Sequence, residues 1–208
     1  METKTGCFLC EVPLDIMYAE SETAIALCGL GPLVPGYTVV GTKAHVASAA
    51  DVSSQYPEFL EFAEGVRSFL VKHYGSCLVT EHGRMPACVG PAGEPDTHCF
   101  HAHFLMFPGV PLVSESARPY FASRQTFSNV REALESALGV AEYFLISPDA
   151  DEASILTRPG RLIPQFARML VAKATGHPEL TNWRKAPLRD QCISMATQLR
   201  ALWRTEER

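Results

Sequence analysis

The chain has 208 residues, 47% hydrophobic and 20% charged, with a formal net charge of −5. This is enough apolar material for a sizeable core without a covalent staple, while the acidic balance and the lack of a long basic run disfavour nucleic acid as a partner. No apolar run approaches the ~20 residues of a membrane span, and the first residues lack the charged-then-apolar layout of a signal peptide.

Cys7-Phe8-Leu9-Cys10 opens the readable pattern. Cysteines stand at 7, 10, 28, 77, 88, 99 and 192, an odd number, and imply a reducing, cytoplasmic setting. There a Cys-x-x-Cys pair signals metal or redox chemistry more often than a structural disulfide. Residues 15–20 and 23–27 read as strands around the Ser21-Glu22 turn. The stretch 29–36 holds three glycines and two prolines and reads as a loop, after which Tyr37-Thr38-Val39-Val40 resumes as a strand.

From Asp51 the apolar period lengthens. Phe59, Phe62, Val66, Phe69 and Leu70 recur at helical spacing and predict an amphipathic helix ending near Gly75. Residues 76–81 form a short strand, 84–95 a loop rich in glycine and proline, and 99–107 a further strand. On that strand Cys99, His101, His103 and Leu105 share one face, because side chains alternate. A polar stretch, 114–129, leads to strands at 142–147 and 154–156 and helices at 162–174 and 188–203. The order predicts an α+β fold: an antiparallel sheet with one long helix, extended by a C-terminal α/β portion. Residues 1–112 and 113–208 are the two parts, with no obvious linker, so they are expected to pack as one structural unit.

A two-residue gap lets Cys7 and Cys10 reach one tetrahedral zinc, provided two more Cys or His ligands come from elsewhere. His45, just after a strand, and His101 are the candidates, with His98 the competing ligand three residues before His101. A thioredoxin-like redox pair is the remoter alternative, since no βαβ pattern follows the cysteines. His103 is the candidate nucleophile: much of an ordinary imidazole is unprotonated near neutral pH and able to attack phosphorus.

Four blocks occur in an order that resembles the histidine-triad superfamily. They are Cys7-Phe8-Leu9-Cys10, then Pro35-Gly36-Tyr37-Thr38-Val39-Val40-Gly41-Thr42-Lys43-Ala44-His45, then Glu81-His82-Gly83, then His101-Ala102-His103-Phe104-Leu105-Met106-Phe107-Pro108. The resemblance runs from Cys7 to Pro108 and continues more weakly through 163–168 and 182–184. It implies an antiparallel α+β fold that frequently pairs as a homodimer. It also implies structural zinc on Cys7, Cys10, His45 and His101, and attack by His103 on the α-phosphorus of a nucleotide or nucleotide conjugate, giving a nucleotidyl-histidine.

The third histidine of the family pattern falls at position 105, where this chain has Leu105. Leucine cannot bond a phosphate or protonate a leaving group. The expectation is therefore a nucleotide hydrolase or nucleotidyltransferase; the alternative is a nucleotide-binding or protein-interaction module that has lost turnover. His82 and His98 are spare imidazoles. Ser114, Gln165 and Arg168 are the candidate substrate contacts, with Arg161 a weaker one and Trp183 able to stack on a base.

Overall fold

The protein is described by a computed structural model over residues 7–53, 57–85, 100–110, 113–160 and 163–206. Its strands are β1 (Met17–Glu20), β2 (Ala24–Cys28), β3 (Thr38–Thr42), β4 (Cys77–Glu81), β5 (His103–Pro108), β6 (Phe121–Phe127), β7 (Tyr143–Asp149) and β8 (Glu152–Pro159). They form one sheet in the order β1-β2-β3-β5-β4-β7-β8-β6. Every pairing is antiparallel. The helices are α1 (Ala49–Ser53), α2 (Pro57–Tyr74), α3 (Ser114–Ala117), α4 (Val130–Ser136), α5 (Phe166–Ala174) and α6 (Arg189–Glu206). The architecture is α+β. No helix among the described residues is long and apolar enough to cross a membrane.

The period-two reading of residues 103–107 is visible in the packing. Phe104 stacks on Phe59 of α2, with ring centroids 5.4 Å apart. Phe107, an odd position, stacks on Tyr37 at 4.8 Å, toward the opposite face. The even side of β5 therefore faces the long helix, while its odd side, including His103 and Leu105, lines a cavity. On the helical side Phe69 meets Trp203 of α6 at 5.1 Å. Beyond the cavity Phe166 of α5 packs against Tyr120, Phe121 and Phe144.

Several boundaries differ from the sequence reading. The helix expected from Asp51 is divided into α1 and α2, and Pro57 opens the second, where its missing N–H costs nothing. Strand β5 begins at His103 rather than at position 99. Ala102 donates its N–H to Val46 O (2.6 Å) and accepts from Thr42 N (3.2 Å), so His101 sits in a bend before the ladder. The polar stretch 114–129 contains α3 and the edge strand β6, and α4 follows, capped by Asn129 Oδ1 on Glu132 N at 2.9 Å. Strands β6 to β8 join the same sheet as the first half through the β4–β7 pairing. His98, Cys88, Cys99 and Arg161, with residues 86–95 of the expected loop, lie outside the described residues.

Candidate functional site

Cys7 and Cys10 lie in a tight turn in which the N–H groups of Cys10 and Glu11 both donate to Cys7 O at 3.0 Å. The turn brings both sulfurs to the start of β5. Cys7 Sγ lies 3.3 Å from His101 Nδ1, Cys10 Sγ lies 3.6 Å from the same nitrogen, and Cys10 Sγ lies 3.2 Å from His45 Nδ1. The four ligand atoms of Cys7, Cys10, His45 and His101 all fall within 4.8 Å of one another. A tetrahedral zinc with its usual bond lengths would set sulfur–nitrogen edges of about 3.5 Å. The donor set and the spacing both fit the ion.

His101 is pre-oriented for that role. Its Nε2–H donates to Thr42 O at 2.8 Å, which leaves the Nδ1 lone pair toward the sulfurs. Burial pushes its pKa down to about 4, so the ring is neutral at physiological pH. Burial also pushes the Cys7 thiol up to about 11; a cation between the sulfurs would favour the thiolate instead.

His103 starts β5 and donates its Nδ1–H to His101 O at 2.6 Å. That bond fixes the tautomer and leaves Nε2 with a lone pair. Burial pushes the His103 pKa down to about 3, with the neighbouring His82 adding to the effect. The ring of His82 meets it edge-on, with centroids 5.0 Å apart at 75°.

A cavity of about 810 Å³, counted out to open solvent, opens in front of these rings. Phe8, Leu9, Leu30, Val39, Leu105 and Trp183 supply much of its apolar wall. His103, Gln165 and Arg168 all line it, so the chain brings these expected site residues together. Ser114 instead starts α3, is buried, and is not among the lining residues.

Arg168 and Gln165 are already engaged. The Arg168 guanidinium donates to the carbonyls of Leu30 (3.2 Å), Gly31 (2.7 Å), Leu180 (2.6 Å) and Thr181 (2.9 Å). Gln165 Nε2 donates to Asn182 Oδ1 at 3.3 Å, and its Oε1 accepts from Trp183 N at 3.2 Å. Both are therefore held by the fold itself, and Gln165 fixes the backbone of Trp183, which also lines the cavity. The aromatic and aliphatic lining at Phe8, Leu9 and Leu30 was not singled out from sequence, because scattered apolar residues carry no signal until the chain folds.

No protein-family model matches the sequence, and no curated protein matches it. Among solved structures, similarity is found to the C. elegans NitFhit protein, at 19% identity and TM-score 0.35, over 47% of this chain and 22% of that one. A HIT family hydrolase from Clostridium thermocellum is similar at 20% identity and TM-score 0.39, over 53% of this chain and 96% of that one. A Hit-like protein involved in cell-cycle regulation from Bartonella henselae, crystallised with an unknown ligand, is similar at 20% identity and TM-score 0.34. That overlap spans 47% of this chain and 70% of the other.

Proposed function

We propose that the protein is a zinc-bearing, histidine-triad-like nucleotide hydrolase or nucleotidyltransferase, working in a reducing, cytoplasmic setting on a nucleotide or nucleotide conjugate. The observation that carries this reading is His103. Its Nδ1 is committed to a carbonyl at 2.6 Å, its ring is neutral, and it lines a largely apolar cavity. In the reaction Nε2 attacks the α-phosphorus and the leaving group departs; water or a second phosphate then resolves the nucleotidyl-histidine. Cys7, Cys10, His45 and His101 would hold the zinc, whose role is structural: it fixes the turn at the cavity wall. Residues 1–112 and 113–208 act as one unit, and the active form is a homodimer.

The test mixes the protein with dinucleotides, nucleotide sugars and phosphoramidate nucleotides, then measures products and protein mass together. The expected result is an acid-labile, base-stable mass increase of one nucleotidyl group, absent from His103→Ala. Undiminished turnover in His103→Ala would sink the reading.

One observation favours the second reading, a binding module. Leu105 lines the cavity where the family pattern has a polar group. Ligand-induced stabilisation with no adduct and no product across the panel would establish it.

A further inference from the structure

Resting on the nucleotide reading, we infer that Trp183 is the platform on which the base stacks, so that the site reads the base by its face and not by its hydrogen-bonding edge. Trp183 and Phe8 line the same cavity as His103, and both rings are half-buried. Their centroids lie 6.0 Å apart with the planes tilted by 46°, so Phe8 touches the indole without lying flat on it. The Arg184 guanidinium lies over the indole at 4.5 Å and is not among the lining residues, so it backs the ring from outside the cavity. A flat aromatic group entering the cavity therefore meets the opposite face, and cation, indole and base form one layered stack.

The backbone beneath Trp183 is held from several directions. Gln165 Oε1 accepts from Trp183 N at 3.2 Å, and its Nε2 donates to Asn182 Oδ1 at 3.3 Å. Gln165 is itself buried and left-handed, with φ +59° and ψ +41°, a conformation that is costly for any residue but glycine and persists where the surroundings enforce it. Gly31 packs against the same segment: a Cβ there would lie 2.6 Å from Ala186 O and 3.2 Å from Trp183 Cα. Arg168 ties the two loops together, donating to Gly31 O on one side and to Leu180 O and Thr181 O on the other. Gln165 is thus a positioning residue, acting on the ligand through Trp183, and a platform fixed in advance loses little freedom on binding.

The ligand chemistry follows from the wall around that ring. Leu9, Leu30, Val39 and Leu105 offer apolar surface with no side-chain donor or acceptor. Every base has a π-face, so recognition by stacking tolerates changes at the base edge and strengthens with ring area. AMP, GMP and IMP should therefore bind within a few-fold of one another and more tightly than CMP and UMP. Ribose 5-phosphate keeps the sugar and phosphate but lacks the base, and should bind most weakly.

Calorimetry on the zinc-loaded full chain tests this without turnover, with zinc content and melting recorded for each variant. Trp183→Ala should weaken AMP and GMP roughly tenfold or more and leave the weak binding of ribose 5-phosphate unchanged. Trp183→Phe, which keeps a ring, should recover most of that loss, and Gln165→Ala should reproduce part of it for the base-bearing ligands alone. The chain has two tryptophans, so in Trp203→Phe protein the remaining indole is Trp183, and AMP should quench its fluorescence. Should Trp183→Ala fail to fold, Trp183→Leu against Trp183→Phe makes the same comparison. Unchanged AMP affinity in Trp183→Ala, equal losses for AMP and ribose 5-phosphate, or AMP binding with no change in fluorescence would each overturn the platform while the nucleotide reading stands. AMP and GMP differing by more than about tenfold would overturn recognition by the face of the base. A wild type that binds none of these nucleotides would sink the nucleotide reading and the platform together. Base-dependent binding through Trp183 with no adduct and no product would uphold the platform and sink the transfer reaction.

Discussion

Arg168 and Gln165 both reach the cavity from the start of α5, yet the loops they meet decide what each does. With four carbonyl partners, the Arg168 guanidinium ties α5 to residues 30–31 and 180–181. Arg168→Leu should therefore destabilise the fold by at least ~3 kcal/mol, seen as a lower denaturant midpoint, because buried carbonyls lose their donor. An unchanged midpoint with weakened phosphate binding would restore Arg168 as a ligand contact. At the metal cluster, Cys10→Ser should lose bound zinc and lower the melting temperature, since binding energy at such a site is also folding energy; full metal content with unchanged melting would exclude the ligand set. Glu81 is the third residue with a measurable signature. It is buried at the end of β4, accepts from Ala49 N at 3.2 Å, and is pushed up to about 7 by burial. The folded state thus binds its proton more tightly than the unfolded chain does. That contribution to stability is complete below pH 4.5 and disappears as pH rises through 7, a difference of about 3 kcal/mol. Glu81→Gln, which keeps an acceptor for Ala49, should flatten this part of the stability–pH curve; an unaltered slope would count against the buried carboxyl as its source. At this scale the Cys7–Cys10 pair was legible from its fixed gap, and His45 and His101 as candidate ligands from the resemblance; the fold draws these four together and sets His103 on the cavity wall. The engagement of Arg168 was not legible, since its partners are carbonyls that any residue could supply.

The elements divide in the same way. Helix α2 and strand β5 were readable because each has one face on a large core, so the apolar period is clean. Phe104 shows the consequence: it is fully buried against Phe59, and Phe104→Ala should cost ~3–5 kcal/mol in equilibrium unfolding. A cost below ~1 kcal/mol would mean that the helix–sheet seam repacks freely. Strand β6 escaped notice because it is an edge strand, with only Phe121 buried of its seven residues. Its Arg124 is held by Glu115 and Glu152, so its polarity reads as loop. Helix α4 is short, and its one clear sign is Asn129 followed three residues later by Glu132, a capping pattern within an otherwise polar run. The late start of β5 has a local cause in the bonds from Ala102 to Val46 and Thr42, which turn His101 toward the cysteines.

For the whole molecule, the sheet order places β7 against β4, so β1 and β6 are the two outer strands. Helix α6 packs on β1 and β2, and α4 packs on β6 and β8; the proposed homodimer is tested on the intact chain. Light scattering should report twice the chain mass; a single-chain mass at all practical concentrations would sink the dimer. No spacing in the sequence encodes which strands become neighbours over long separations, so neither the continuous sheet nor the approach of His82 to His103 was available before folding. One feature of the metal cluster reaches further than its ligands. Phe8 and Leu9, strung between Cys7 and Cys10, are themselves part of the cavity wall, with Leu9 pressed against Gly41. If zinc sets that wall, the ion and the occupant of the cavity are thermodynamically linked, and each must raise the affinity of the other by the same factor. Saturating nucleoside monophosphate should then slow the removal of zinc by a chelator, and a chelated protein should bind the nucleotide more weakly by the matching ratio.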